Sequence, residues 1–296
     1  MKILLLGKNG QVGWELQRSL APLGEVIALD SRSTDYCGDL ANLPGLSETV
    51  DRLRPDVIVN AAAYTAVDKA ESELELARMV NTLAPGALAE AAQRCSALLV
   101  HYSTDYVFDG SGDTPWCETD TVAPLSVYGQ TKLDGERLIA EHCANHLIFR
   151  TSWVYAARGN NFAKTMLRLA KERDKLTVIN DQFGAPTGAE LLADVTAHAI
   201  RQTVTKPELA GLYHLVAGGE TTWHGYAQFV IEHARKAGIP IMVTLDDIAP
   251  VPTTAFPTPA KRPHNSRLNT SKLQTAFDLV LPPWEQGVTR MLTETF

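Results

Sequence analysis

Leu4-Leu5-Leu6-Gly7-Lys8-Asn9-Gly10-Gln11-Val12-Gly13 is an apolar run that breaks into glycines three residues apart. The run, opening at Lys2, reads as a strand covered on both faces, and Trp14 to Leu20 reads as the helix that follows. Glycines at positions 7, 10 and 13 permit a tight turn and let backbone N–H groups around Gln11 and Val12 approach a pyrophosphate at the helix N-terminus. A purely structural turn is the competing reading. The strand before it, the helix after it and Asp30, about twenty residues on at the end of the next strand, favour dinucleotide binding. Asp30 is placed to accept hydrogen bonds from the adenosine ribose, which favours NADH over NADPH by repelling a 2′-phosphate. Arg32 could pair with that phosphate, so both cofactors stay open. Asp39-Leu40 is expected beside the adenine, with an ordinary helix cap as the alternative for Asp39.

Working outward, further strands are expected at Glu25–Leu29, Asp56–Asn60, Ala97–Ser103 and His146–Thr151, with helices beginning near Gln11, Leu43, Lys69, Thr82 and Ser126. This alternation predicts an α/β fold, a Rossmann-like doubly wound parallel sheet with a smaller C-terminal substrate-binding lobe. Residues 1–155 are expected to form the NAD(P)-binding domain and to take back about 175–205, with 156–296 forming mainly the substrate lobe. In the second half a helix is expected near Asn161–Lys171, strands at Lys175–Ile179 and Gly211–Leu215, and a helix near Ala189–Thr203. Ala249–Pro263 carries five prolines and reads as an irregular loop of the lobe.

Across the 296 residues, 45% hydrophobic and 21% charged content is that of a globular protein, and a formal charge of −7 offers no general attraction to nucleic acid or anionic membrane. An anionic substrate would need a local basic patch. No signal segment and no apolar run of about 18 residues is visible, so the expected location is the cytoplasm. Cys37, Cys95, Cys117 and Cys143 lack metal or disulfide spacing and are expected to be reduced and structural.

Two strand ends and one helix carry candidate chemistry. Asn60-Ala61-Ala62-Ala63-Tyr64-Thr65 offers small side chains against which a flat ligand could lie, or else tight helix packing. Val100-His101-Tyr102-Ser103-Thr104-Asp105 ends in hydroxyls that could polarise a carbonyl, or else satisfy a turn. The next helix carries Tyr128-Gly-Gln-Thr-Lys132, which sets a phenol and an ammonium about 40° apart on one helical face. Bringing a tyrosine from near ~10 to near ~7 needs about 4 kcal/mol, of which a cation ~5 Å away supplies roughly 3 at an effective dielectric near ~20. On this reading Lys132 lowers the Tyr128 pKa; a solvated surface pair is the alternative. Lys261, Arg262 and Arg267 form a basic cluster that could hold a diphosphate, or else an ordinary solvated charge run. The eight histidines show no ligand spacing, and His101 and His142 read as structural.

In order and spacing these motifs resemble the extended short-chain dehydrogenase/reductases. More narrowly, Asn9-Gly-Gln-Val-Gly-Trp-Glu-Leu16, Ser103-Thr-Asp-Tyr-Val-Phe-Asp-Gly110, Arg150-Thr-Ser-Trp-Val-Tyr155, Asn161-Phe162, Asp181-Gln-Phe-Gly-Ala-Pro-Thr187, Arg262-Pro263 and Ser266-Arg-Leu268 resemble the bacterial dTDP-4-dehydrorhamnose reductases over nearly the whole chain. The resemblance implies NADH- or NADPH-dependent reduction of the C4 ketone of dTDP-6-deoxy-L-lyxo-4-hexulose to dTDP-L-rhamnose. It implies Tyr128 as proton donor, Lys132 as its pKa partner and holder of the nicotinamide ribose, and Thr104 on the reacting carbonyl. Asp105 and Trp153 would contact the dTDP-linked 4-keto-6-deoxy sugar, while Tyr64, Thr65 and Tyr102 would line the cofactor site. It further implies a homodimer, with Mg2+ near Glu15 and Glu190, although a helical surface carboxylate is the plainer reading of each. Two alternatives stay open: a nucleotide-sugar epimerase or dehydratase of the same fold, and a non-catalytic NADP-binding regulatory subunit. Asp105-Tyr106 after Thr104, instead of an Asp-Glu pair, weighs against a dehydratase, and the intact Thr104, Tyr128 and Lys132 set weighs for an active enzyme.

Overall fold

The computed structural model describes residues Met1–Phe296. The first half alternates β1 (Lys2–Leu6), α1 (Gln11–Leu20), β2 (Glu25–Leu29), α2 (Leu43–Leu53) and β3 (Val57–Asn60). Short helices α3 (Val67–Ala70) and α4 (Leu74–Arg78) and a π-helical turn, Met79–Leu83, lead into α5 (Ala84–Cys95). Then come β4 (Leu98–Thr104), α6 (Val127–His142), β5 (His146–Thr151) and β6 (Val154–Tyr155). The second half contains α7 (Phe162–Glu172), β7 (Leu176–Ile179), β8 (Phe183–Gly184), β9 (Thr187–Gly188), α8 (Ala189–Thr203) and β10 (Gly211–His214). It ends with β11 (Thr221–Thr222), α9 (Trp223–Lys236), β12 (Ile248–Val251), α10 (Ser271–Phe277) and α11 (Trp284–Thr295). No helix is long and apolar enough to cross a membrane.

The main sheet has six parallel strands in the order β10-β5-β4-β3-β1-β2. Its strands are apolar on both faces because helices cover both. Ile3 and Leu5 join the core under α1 and α8, and Leu4 and Leu6 join the core under α2, α5 and α6. The chain leaves β1 toward β2 and then crosses back to β3. Strand order therefore reverses between β1 and β3, which opens a crevice at their carboxyl ends, where open α/β sheets bind ligands.

The second half is divided differently from the sequence expectation. Of the stretch 175–205, α8 returns to the sheet and packs on α1, whereas β7 pairs with β12 in a separate two-stranded sheet. Residues Leu176 and Val178 are buried and Thr177 is exposed, so β7 has one apolar face and suits a ribbon covered on one side. β10, expected in the lobe, lies at the edge of the main sheet, and Leu273 and Phe277 of α10 join the same core. The proline-rich loop also needs correction, because its start forms β12. Pro250 is tolerated there because a strand in a two-stranded sheet has one side without partners and can spare an N–H. Around this ribbon, α7 and α9 bury Met166, Ala170, Ala227 and Ile231, while α11 packs on α9 through Val288 and Met291.

Candidate active site

The glycine turn is built by close approaches. Gly7 has φ +87°, and a Cβ there would stand 2.8 Å from the Ala62 nitrogen at the end of β3. A Cβ on Gly13 would stand 2.0 Å from the Gly7 carbonyl oxygen, so α1 can enter against the turn only with glycine at 13. Gly10 has only that same carbonyl oxygen, at 3.4 Å, near its added Cβ, and as N-cap it offers no side chain to the first turn. The backbone N–H groups that open α1 thus have no side-chain cap and lie at the positive end of a helix dipole, a setting suited to an anion. Gly13→Ala is expected to abolish measurable NADPH binding while the chain remains folded, read by fluorescence titration beside circular dichroism. Unchanged affinity would show that the turn does not hold the dinucleotide.

A cavity of about 720 Å³ runs from this turn across the carboxyl ends of β1, β3, β4 and β5. Gly7, Gly10, Gln11, Val12, Ala63, Thr65, Tyr102, Thr104, Asp105, Tyr128, Lys132 and Trp153, all singled out in the sequence, line it. Other predicted residues stand apart. Tyr64 donates its hydroxyl to Glu73 at 2.7 Å, Leu40 is buried in the core under α2, and Asp39 accepts from the Ala41 N–H at 3.0 Å in a turn ahead of α2, whose N-cap is Asn42 and not Asp39. Asp30 lies beside a second cavity of about 490 Å³ with Lys8, Arg32 and Ser33. Its carboxyl is held below the usual range chiefly by the Arg32 backbone N–H and also by the Ser33 hydroxyl and the Lys8 and Arg32 charges.

Thr104 ends β4 and starts the turn 105–107. Its hydroxyl accepts from the Tyr106 N–H and donates to Asp105, each at 3.2 Å. Asp105 is 2% exposed, and burial pushes its carboxyl up to about 6, against the pull of hydrogen bonds from Ser266 and Thr104. Ser126 caps α6 by accepting from the Gly129 N–H at 3.2 Å. Gly129 lets the helix lie against the turn, since a Cβ there would be 2.2 Å from the Tyr106 carbonyl oxygen. This approach sets Tyr128 edge-on to Tyr106, with ring centroids 5.5 Å apart.

Tyr128 and Lys132 both line the cavity, but they share no hydrogen bond. Burial pushes the Tyr128 hydroxyl well up, with the Thr104 hydroxyl pulling down and the Asp105 and Tyr106 charges adding to the rise. Lys132 is 2% exposed; its Nζ donates to the Tyr102 carbonyl oxygen at 2.5 Å and stands 3.0 Å from His101 Nε2. Burial brings Lys132 down to about 8, with Glu136 opposing. The expected lowering of the Tyr128 pKa by Lys132 is therefore absent from this state, because the buried amine turns to the Tyr102 carbonyl and the His101 ring on β4.

Arg262 and Arg267 separate as well. Arg262 donates to Asp68 at 2.7 Å and to the Tyr106 hydroxyl at 3.2 Å, whereas Arg267 pairs with Glu220 and lies over Phe183. A side cavity of about 260 Å³ is lined by Arg262, Gln182, Met166 and Ser266, and it shares Tyr106, Trp153 and Trp223 with the large one. Trp153 has φ +49°, and its ring stacks on Trp223 at 3.7 Å. Gly184 makes room for that ring, since an added Cβ would stand 2.9 Å from Trp153 Cε2.

Glu15 and Glu190 sit on the packed helices α1 and α8, but Glu15 pairs with Arg18 at 3.4 Å and Glu190 lies 3.9 Å from Arg290. No group of three His, Cys, Asp or Glu side chains with metal-binding geometry is present.

Several residues were missed by the sequence reading. Trp223 carries no spacing signal because its partner is 70 positions away. The Asn81 side chain accepts from the Tyr64 N–H and donates to the Tyr64 carbonyl and Thr131, tying the β3 strand end to α6. Ser103, Thr151 and Ser152 line the cavity with buried hydroxyls that have no partner in the protein, which together with the uncapped α1 fits a polar cofactor.

A parallel sheet with a glycine turn at its switch point and Thr, Tyr and Lys around one cavity defines a Rossmann-type oxidoreductase of the short-chain dehydrogenase/reductase class. A sequence model described as RmlD substrate binding domain matches residues 1–296, and the chain belongs to that family. It is 69% identical over 296 residues to the dTDP-4-dehydrorhamnose reductase of Shigella flexneri, covering 100% of this chain and 98% of the relative. A solved dTDP-4-dehydrorhamnose reductase from Clostridium acetobutylicum has a TM-score of 0.88 at 37% identity, with 99% of each chain covered. Another, from Bacillus anthracis in complex with NADP, has a TM-score of 0.87 at 34% identity, again with 99% of each covered.

Proposed function

We propose that this chain reduces the C4 ketone of dTDP-6-deoxy-L-lyxo-4-hexulose (dTDP-4-dehydro-L-rhamnose) to dTDP-L-rhamnose, the last step in making that sugar nucleotide. The observation that carries the reading is the single cavity that joins the glycine turn to Thr104 and Tyr128, in a chain so similar to such reductases. Bound along that cavity, the reduced nicotinamide supplies the hydride. Gly7, Gly10, Gln11, Val12 and Gly13 would hold the pyrophosphate, Ala63, Thr65 and Tyr102 would flank the cofactor, and Lys132 would hold its ribose. Thr104 donates a hydrogen bond to the ketone oxygen, and Tyr128 delivers the proton as the oxygen becomes an alkoxide. Because burial raises the Tyr128 pKa, the phenol stays loaded with its proton until then. Asp105, Trp153 and Trp223 contact the sugar end of the substrate.

NADPH is the favoured cofactor, with NADH also used. Asp30 is already engaged by Arg32, Ser33 and Asn9, and Lys8 and Arg32 stand beside it to balance a 2′-phosphate. Residues 1–155 with α8, β10 and α10 form the cofactor-binding domain, and the rest of 156–296 forms the sugar-nucleotide lobe. The protein works in the cytoplasm as a homodimer; a magnesium ion between Glu15 and Glu190 would require ligands from both copies. Sedimentation with and without a chelator tests that assembly.

The deciding experiment measures cofactor oxidation with dTDP-, UDP- and GDP-linked 4-ketosugars side by side, using NADPH and NADH. One equivalent of oxidised cofactor per product, with preference for dTDP, is expected. Product without net oxidation would favour an epimerase or dehydratase, and cofactor binding without turnover would favour a regulatory subunit. For the diphosphate, Arg262 exchanges Asp68 for a phosphate oxygen. Arg262→Ala should raise KM for the dTDP-sugar roughly 10- to 100-fold, the effect of losing a charged hydrogen bond, and leave KM for NADPH unchanged. An unchanged sugar KM would remove Arg262 from the site.

A further inference from the structure

Asn60, His101 and Lys132 form a buried chain across the carboxyl ends of β3 and β4, and none is more than 2% exposed. Asn60 Oδ1 accepts from the Ala62 N–H at 3.2 Å, which orients the amide so that Nδ2 donates to His101 Nδ1, 3.1 Å away. A neutral imidazole carries one N–H, and a ring whose Nδ1 accepts must hold its proton on Nε2. That nitrogen faces Lys132 Nζ at 3.0 Å, so the amine must accept there while donating to the Tyr102 carbonyl oxygen. An uncharged amine satisfies every partner. An ammonium cannot accept, so charging Lys132 forces the imidazole proton onto Nδ1, where it meets the Asn60 Nδ2 donor. Flipping the amide only moves that conflict to the Ala62 N–H.

We infer that His101, with its tautomer set by Asn60, is a positioning residue that governs the proton affinity of Lys132, coupling each proton the amine gains or releases to a tautomer change in its own ring. The proton leaves Lys132 through the cavity while the imidazole proton moves from Nδ1 to Nε2, one proton released in all. Burial keeps the imidazole itself uncharged, since its pKa lies well below the ordinary value and the Lys132 charge lowers it further. The other groups about Lys132 do not provide this switch. Glu136, on the same helix, favours the ammonium and is held by Arg150 of β5 at 2.6 Å. Tyr128 and Tyr102 stay protonated, Asp105 and Tyr106 of the adjoining turn act on Tyr128, and Asn81 of the π-helical turn packed on α6 is uncharged and bonds Thr131. His101 is thereby more than the structural histidine its sequence context suggests. Its consequence for catalysis rests on the reductase reading, because the charged Lys132 is the form that supports Tyr128 and the ribose.

The test uses full-length protein with 15N-labelled histidine, free of cofactor. In the wild type, the His101 ring nitrogens should report the Nε2–H tautomer above pH 9 and exchange it for Nδ1–H as pH falls, with a midpoint between about 7 and 9, around the lowered lysine value. A ring that stays Nδ1–H to pH 9.5, or that becomes an imidazolium on acidification, overturns the inference. The alkaline limb of kcat/KM is the second readout. His101→Gln, whose amide can turn its oxygen to the ammonium without a tautomer conflict, should move that limb up by about one pH unit, a tenfold change in proton affinity. His101→Phe, which offers no acceptor, should move it down. A merely structural histidine would lower kcat in both variants without moving the limb. Should no reductase activity be found, the ring tautomer still decides the inference by itself.

Discussion

Tyr128→Phe is expected to lower turnover on the dTDP-linked ketosugar by about 10²–10⁴-fold, the usual range for loss of a general acid, while NADPH affinity stays nearly intact. The substitution removes only the hydroxyl. The ring keeps its edge-on packing against Tyr106 and its place on α6, so the cavity keeps its shape. What is lost is the proton that the developing alkoxide takes. Single-turnover measurement with NADPH and ketosugar separates this from a binding defect, since only the rate of cofactor oxidation should fall. A variant turning over within about threefold of wild type would require another proton source. Asp105 is the group to suspect, because its raised pKa leaves part of it protonated near pH 6.

Glu136→Ala should cost about 3–5 kcal/mol of stability, a large share of the 5–15 kcal/mol that holds a typical domain folded. The Glu136 carboxylate accepts from Arg150 Nε at 2.9 Å and Nη2 at 2.6 Å, and the two side chains are 7% and 4% exposed. Removing it leaves a buried guanidinium whose Nη1 already has no partner and whose other neighbour is the Phe108 ring. Urea unfolding measures the loss. Replacing both residues, as Glu136→Leu with Arg150→Met, should recover most of it, because two apolar side chains remove the stranded charge. If the single variant lost less than about 1 kcal/mol, the pair would have to be exchanging with water instead of being sealed between α6 and β5. Glu136 also favours the charged form of Lys132, so pH dependence of cofactor binding in the variant should shift to lower pH.

The parts legible from sequence are those whose signal is local. The bounds of β1, β2 and β5 and the start of α1 follow from apolar runs ending in glycine or polar residues, because a strand covered on both faces must be apolar throughout. The order of glycine turn, Thr104 strand end and Tyr128 helix was likewise readable, since parallel strands bring their carboxyl ends to one edge whatever lies between. The π-helical turn before α5 gave no comparable sign, and β12 was hidden by Pro250, which rules out a central strand but not a two-stranded one.

Side-chain partners were a different matter. Tyr128 and Lys132 were placed on one helical face by their spacing alone, and both do line the cavity. Spacing could not tell that the amine turns away to His101 and the Tyr102 carbonyl, because those partners come from a strand some thirty residues earlier. The same holds for Arg262 with Asp68, 194 positions apart, and for the Trp153–Trp223 stack.

Sequence by itself determined the parallel-sheet architecture of the first half, the glycine turn and the candidate reacting side chains, since periodicity and glycine placement act over a few residues. Only the tertiary structure decided which charge meets which, that Leu40 and Tyr64 turn from the cavity, and that Lys132 answers to His101. Burial makes the Lys132 and His101 contacts obligatory and draws Leu40 into the core, and which atoms are near enough to meet depends on how distant segments pack.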